Sequence, residues 1–252
     1  DMRTGTTGYR AISAFNIKTE ESVTCRLTGF EGMPWDDGWL TYYDGYFYLT
    51  AYTAGLFDGV IKGLEDKRSS LMWVKFNFEN GSFEEPSFKN IQDPEGHEFR
   101  GIASGLVIYN GRGYLNVRAL GSDTLGGSDD TGSKMIAYDI GAHGEPFPKN
   151  SVDSQMTHGG IVLNVAHVEE GKIHIYMIPY NSFGQALYVF TDEYIDGNWV
   201  LRPRVELSMA RTDWCSQCIR AGPDGEVLFY VDSGYIDCYV PADKYCVNVI
   251  TV

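Results

Sequence analysis

An all-β fold of successive four-stranded antiparallel sheets is what this sequence predicts, and three observations carry the prediction. The first is composition: 29 glycines and 17 tyrosines against 9 prolines in 252 residues suit many short strands joined by tight turns. The second is a recurring hairpin made of an apolar strand, a glycine turn and an aromatic strand. It appears as GWLTYYDGYFYLTAY, SGLVIYNGRGYLNVRA, GGIVLNVAHVEEGKIHIYMIPY and CSQCIRAGPDGEVLFYVDSG, turning at Gly45, Gly111, Gly171 and Gly225. The third is a different hairpin lying between these: LMWVKFNFENGSFEEPSF, KMIAYDIGAHGEPFPKN and ALYVFTDEYIDGNWVLRPRV. Its return strand is more polar, as fits a less buried face.

One hairpin of each kind makes a four-stranded sheet, and the pair repeats at roughly 60 residues. Inner apolar and outer polar hairpins in regular succession are the sequence form of β-propeller blades. A single propeller domain over residues 1–252 is therefore expected, with four blades, or five as the alternative count. A β-sandwich of the same strands is the competing architecture. The ends do not balance, because AISAFNIKTEESVTCRL within residues 1–30 and YIDCYVPADKYCVNVITV at the C-terminus both read as outer hairpins. The N-terminal hairpin could close the ring, follow an inner hairpin of a longer chain, or pair with a neighbouring molecule's edge. Closure or a longer chain is preferred, since joining strands from both termini turns two exposed edges into one ordinary sheet.

The net charge of -14 and pI near 4.7 argue against nucleic acid, whose binding rests on clustered Lys and Arg. No apolar run approaches the length of a membrane-spanning helix. An acidic, aromatic-rich chain fits neutral polar ligands such as sugars, or metal ions, at least as well as a protein partner. An extracellular, cell-surface or periplasmic location is expected, although the chain starts at Asp1 and a leader could precede it. Cys238 and Cys246 flank a Pro-Ala-Asp-Lys turn symmetrically, so a hairpin would bring them to bridging distance. Two small buried hydrophobes are the other reading of that pair. Cys215 and Cys218 have redox or zinc spacing, but no second pair completes a site, and they read better as the start of a buried strand. Asn80-Gly81-Ser82 is a glycosylation sequon.

In a propeller, the segments leading into the innermost strands converge around the channel on one face. Here they are GFEGMPWDDG, DPEGHEFRG, SQMTHGG and SMARTDWC. They offer Glu31, Trp35, Asp36, Asp37, Glu95, His97, Glu98, Arg100, His158, Arg211, Asp213 and Trp214, the makings of a concave polar pocket. Asp36 and Asp213 could work as acid and base across it, or cap turns through backbone N–H groups. Trp35 and Trp214 could stack on a sugar or pack between sheets. Arg100 and Arg211 suit an acidic ligand, with salt bridges to nearby acids as the simpler account. His97 and His158 could ligate a metal beside a carboxylate, but no close His spacing supports one. His167 and His174 read as structural. No cofactor is expected, calcium in the acidic segment GSDTLGGSDDTGSK (121–134) being the one alternative to a solvated loop.

The stretch from Asp36 to Tyr52 resembles the first blade of the furanosidase-like glycosidases, families 32 and 43. In these a carboxylate precedes an apolar strand, an Asp-Gly turn and a Tyr-rich strand. Asp36 stands eight residues before Asp44-Gly45, and the resemblance implies a nucleophile (family 32) or a base (family 43) there. In EFRGIASGLVIYNG the Phe-Arg pair is similar to the family's Phe-Arg-Asp, but Gly101 stands in place of the Asp. The third blade opens with Thr157-His158-Gly159 and no acid. The outer turns TDEYIDGNW, ending at Trp199, and ENGSFEEP resemble the Asp-rich turns of sialidase-like propellers, which bear on fold and not on activity. The expected function is glycan or polar-ligand binding in the funnel without catalysis. The rivals are a glycan-cleaving enzyme using Asp36 with Asp213, and an assembly protein whose terminal hairpins join subunits into an oligomer.

Overall fold

The computed structural model describes residues 11–27, 40–51, 68–99, 101–119, 134–154, 161–169, 171–179, 186–208, 217–221, 227–231 and 246–250. Among these residues there is no helix, and every strand pairing is antiparallel. A two-stranded sheet comes first, β1 (Ala11–Asn16) with β2 (Glu21–Arg26). The next sheet runs β3 (Thr41–Tyr43), β4 (Tyr46–Ala51) and β5 (Ser70–Asn77), with β6 (Ser82–Phe83) and β7 (Ser87–Asn90) both on β5. In the following one, β8 (Gly101–Ala103) and β9 (Val107–Tyr109) pair with β10 (Arg112–Ala119), then come β11 (Lys134–Ile140) and β12 (Pro146–Asp153). Then follows β13 (Ile161–Glu169), β14 (Lys172–Pro179), β15 (Ala186–Ile195) and β16 (Asn198–Ser208). The last sheet is β17 (Gln217–Ala221), β18 (Val227–Val231) and β19 (Cys246–Ile250).

Both hairpin types are therefore present in the expected order, with three local departures. The first strand of the second large sheet is interrupted between β8 and β9, where Ser104 leaves the ladder. Its N–H still donates to Asn116 O at 2.8 Å, and its hydroxyl accepts from Asn116 N at 2.9 Å. The outer strand of the first large sheet breaks between β6 and β7 at Glu84-Glu85-Pro86, where proline has no N–H for a ladder. At the C-terminus β19 pairs with β18, setting Cys246 opposite Val231, while Cys238, with the first strand and turn of the expected hairpin, lies outside the described residues.

The large sheets pack face to face in chain order. Tyr48, Leu71 and Trp73 of the first meet Leu115, Val117, Ile136 and Tyr138 of the second. The other face of the second, through Tyr114, Met135 and Ala137, meets Ile173, Ile175, Met177, Phe190 and Leu201 of the third. β13 then touches β17 of the fourth. On its remaining face the first sheet receives β1–β2, with Ile12, Cys25 and Leu27 against Leu49, Ala51, Met72 and Val74. Strand alternation makes this possible, since residues of opposite parity on β4 and β10 serve opposite neighbours.

Tight turns gather at one end. Asp44-Gly45, Asn110-Gly111 and Asp196-Gly197 each have two left-handed residues, with φ of 46 and 83, 49 and 80, and 48 and 86 degrees. That is the type I′ geometry which Asn-Gly and Asp-Gly favour. Neighbouring sheets are linked there, the Tyr48 hydroxyl of β4 donating to Gly144 O in the turn between β11 and β12 at 3.0 Å. A buried ion network joins the second and third large sheets near the same end. Asp192 Oδ2 accepts from Arg112 Nε at 3.0 Å, from a terminal Arg112 nitrogen at 2.5 Å and from the Tyr114 hydroxyl at 2.8 Å. The other Arg112 nitrogen donates to Asp139, and the Trp199 ring lies 5.1 Å from the guanidinium.

Candidate functional site

Of the residues predicted to line a funnel, the described part of the chain contains the turn before β8. Ile91 and Phe99, both buried, anchor it in the core between the first two large sheets. Between them Gln92 bridges Glu98, and Gly96 N donates to Asp93 O at 3.0 Å. The sequence Asp-Pro-Glu-Gly explains this locally. Asp begins the turn, proline presets φ at the next position, and Gly96 takes φ of 88 degrees.

Asp93 organises the turn. Its side chain is 1% exposed, and Oδ1 accepts from the N–H groups of Glu95 at 3.1 Å and His97 at 2.9 Å. Its Oδ2 lies 2.9 Å from His97 Nδ1. Burial pushes the Asp93 carboxyl up, but hydrogen bonds from the His97 ring and backbone, the His97 charge and Glu95 outweigh it. The carboxyl is held below its ordinary range. An ionised Asp93 only accepts, so Nδ1 carries the proton of that bond, in a ring that is 58% exposed. An imidazole fixed in this way can accept a proton or bind a cation.

Asp93, Glu95 and His97 can bring one ligand atom each within 4.8 Å of one another. A metal there would compete with the three donors that already occupy Asp93, so these residues fit a hydrogen-bonded turn better than a metal centre. His174 Nδ1 lies 3.2 Å from the Thr191 hydroxyl and its ring is tilted against that of Tyr176, 6.4 Å away, in keeping with a structural role. The Tyr176 hydroxyl is buried without a hydrogen-bond partner among the described residues, and burial pushes it up to about 12. Asn80 sits exposed on the turn before β6, where its Oδ1 accepts from the Ser82 hydroxyl at 2.6 Å.

Trp35, Asp36, Asp37, Arg100, His158, Arg211, Asp213 and Trp214 lie outside the described residues, as do Glu31 and most of segment 121–134. By chain position the first three precede β3, Arg100 directly precedes β8, His158 precedes β13, and the last three precede β17. Two buried groups were missed from sequence, Asp93 and Asp192. Asp93 had a signal, an Asp-Pro-x-Gly turn followed by His at the fourth position; Asp192 had none, since its partner is Arg112, 80 residues away.

No protein-family model matches the chain, and no curated protein matches it. Among solved structures the chain is similar to the catalytic domain of the Coprinopsis cinerea GH62 alpha-L-arabinofuranosidase, at 15% identity and a TM-score of 0.37. The superposition covers 83% of this chain and 66% of that one. So low a score establishes neither a shared fold nor a shared activity.

Proposed function

We propose that the chain is a β-propeller that binds a glycan or a similar polar ligand in a funnel built by the segments leading into β3, β8, β13 and β17. One observation carries this reading: the first strands of consecutive sheets neighbour one another in chain order, β3 beside β9, β9 beside β13 and β13 beside β17. By chain order, four segments lead into β3, β8, β13 and β17. They bring two tryptophans, several carboxylates, two arginines and the Asp93-held His97. Indoles supply flat apolar faces for sugar rings, and the charged groups supply oriented hydrogen bonds. A secreted or surface-exposed location accords with such a ligand.

A glycan array tests the binding reading. Binding by the intact protein that is lost in Trp35→Ala and Trp214→Ala supports it, and binding that survives both substitutions removes the funnel. The second reading is glycan cleavage, favoured by the resemblance of residues 36–52 to the furanosidase-like first blade. Cleavage needs a second carboxylate flanking the bond. A reducing-sugar assay over a polysaccharide panel decides it: release that vanishes in Asp36→Asn supports catalysis, and equal blanks for both proteins exclude it on those substrates.

A further inference from the structure

Asn80-Gly81-Ser82 is the one glycosylation sequon in the chain, and the funnel makes no use of it. It lies in the connection from β5 to β6, where Asn77 pairs with Ser82 across the ladder. Asn77 shapes that turn. Its Oδ1 accepts from the N–H groups of Glu79 at 2.9 Å and Asn80 at 3.3 Å, and its backbone oxygen accepts from Gly81 N at 2.9 Å. Gly81 takes the left-handed step, with φ of 65 degrees and nothing within 4 Å of where a Cβ would stand. The sequon is therefore held at an exposed tip by bonds that all lie within residues 77–82, so the turn does not need the packed sheets in order to form.

The Asn80 side chain has a fixed orientation there. Its Oδ1 accepts from Ser82 N at 3.1 Å and from the Ser82 hydroxyl at 2.6 Å. A backbone N–H only donates, so the oxygen faces Ser82 and Nδ2 is left on the side of the amide away from it. Two residues earlier in the same turn stands Phe78. Its ring is 65% exposed, with Phe76 4.8 Å and Tyr42 5.9 Å away, both edge to face. Phe78 and Asn80 line one groove of about 940 Å³, together with Phe15 and Ile17, which are 62% and 83% exposed. An apolar ring and an acceptor amide thus share one groove.

We propose that Asn80 carries an N-linked glycan whose first N-acetylglucosamine packs on the Phe78 ring. The donor class is a lipid diphosphate-linked oligosaccharide, brought by a transferase that reads the sequon. Nδ2 forms a bond to the anomeric carbon as the bond from that carbon to the diphosphate oxygen breaks. The diphosphate leaves with the electron pair and the Nδ2 proton passes to a base of the transferase, so the step balances without an oxidant or reductant. A pyranose joined to Nδ2 presents an apolar C–H face, which suits a phenyl ring, and a rim of hydroxyls that keeps the covered surface soluble. The proposal rests on the secreted location put forward above and not on what the funnel binds.

The test secretes the 252-residue chain from cultured animal cells behind a cleavable signal peptide. Mass spectrometry of the peptide spanning Asn80 should find it glycosylated. Amidase release in heavy-oxygen water should label Asn80, which separates a glycan from spontaneous deamidation of Asn-Gly. Asn80→Gln and Ser82→Ala should abolish the modification, and Ser82→Thr should retain it. Wild type should melt about 2–4 °C above Asn80→Gln, a gap that closes when both carry Phe78→Ser. Unmodified Asn80 in the secreted chain overturns the proposal, since the signal has already supplied the location, and so does undiminished modification of Ser82→Ala. An equal gap with and without Phe78 overturns the packing on that ring. A failed glycan array, by contrast, counts against the funnel reading alone.

Discussion

Replacing Arg112 by methionine should destabilise the protein by about 3–5 kcal/mol, the cost of stranding a buried charge. Asp192 is 0% exposed and its Oδ1 has no partner among the described residues, so the compensation described reaches Oδ2. Three donor contacts arrive there, two from Arg112 and one from Tyr114. Methionine has comparable length and removes two of them along with the only buried positive charge in the network. The Asp139 contact matters less, because that carboxylate is 45% exposed and water can replace its partner. Burial already pushes the Asp192 carboxyl up, and Arg112 and Tyr114 only partly offset this. Without Arg112 it rises further, so the folded variant binds a proton more readily than the unfolded chain. Stability of the variant therefore falls as pH rises, and its deficit shrinks as pH is lowered from neutrality toward the ordinary carboxylate range. Urea unfolding of Arg112→Met, Asp192→Leu and the double variant, at several pH values, measures all of this. The double variant should recover most of the loss, leaving about 1 kcal/mol for the Tyr114 hydroxyl without its acceptor. A single-variant loss under about 1 kcal/mol, or additive losses in the double variant, would refute the buried-pair account.

Other perturbations separate further contributions. Asp93→Asn keeps an acceptor for the turn N–H groups but loses the charged bond to His97, for about 1–2 kcal/mol. Because the Asp93 carboxyl is held low, that stability is present above the unfolded value near 4 and disappears as pH falls through the folded one, so the two proteins should converge in acid. Gly144→Ala and Gly81→Ala impose similar backbone strain, at φ of 75 and 65 degrees, worth about 1–2 kcal/mol each. A Cβ at Gly144 also meets the Tyr46 ring at 2.5 Å, whereas Gly81 has nothing within 4 Å; thermal melts should show the larger drop for Gly144→Ala, and equal drops would contradict the packing described. Ile136→Ala, fully buried between the first two large sheets, should lose about 2–5 kcal/mol in chemical denaturation.

The hairpins were legible because strand periodicity and turn chemistry are local. Tyr42 to Phe47 and Val107 to Leu115 alternate across turns whose Asp-Gly and Asn-Gly pairs admit one geometry. Pairing of sheets was legible only as a repeat, and which faces meet was not. Parity on β10 shows that Leu115 and Tyr114 go to opposite neighbours, but nothing in RGYLNV says which neighbour takes which. The break at Ser104 was invisible, since Ser-Gly-Leu reads as the start of a strand. For the site, sequence named His97 but not the buried Asp93 that sets its tautomer. A carboxylate's burial depends on Ile91 and Phe99 closing over the core, a tertiary event that the turn motif does not encode.

The gathering of tight turns at one end has a practical side. A connection fixed by left-handed residues and cross-sheet bonds such as Tyr48 to Gly144 cannot lengthen without disturbing two sheets, whereas the opposite connections carry longer segments between the same strands. Diversity in a set of engineered variants is best concentrated in those longer segments, with the tight-turn end kept constant as the chassis. The turn at Gly81, which faces open space, is the natural place to tether the protein to a sensor surface or fuse a reporter. Immobilised there, every molecule would hold its tight-turn end toward the surface.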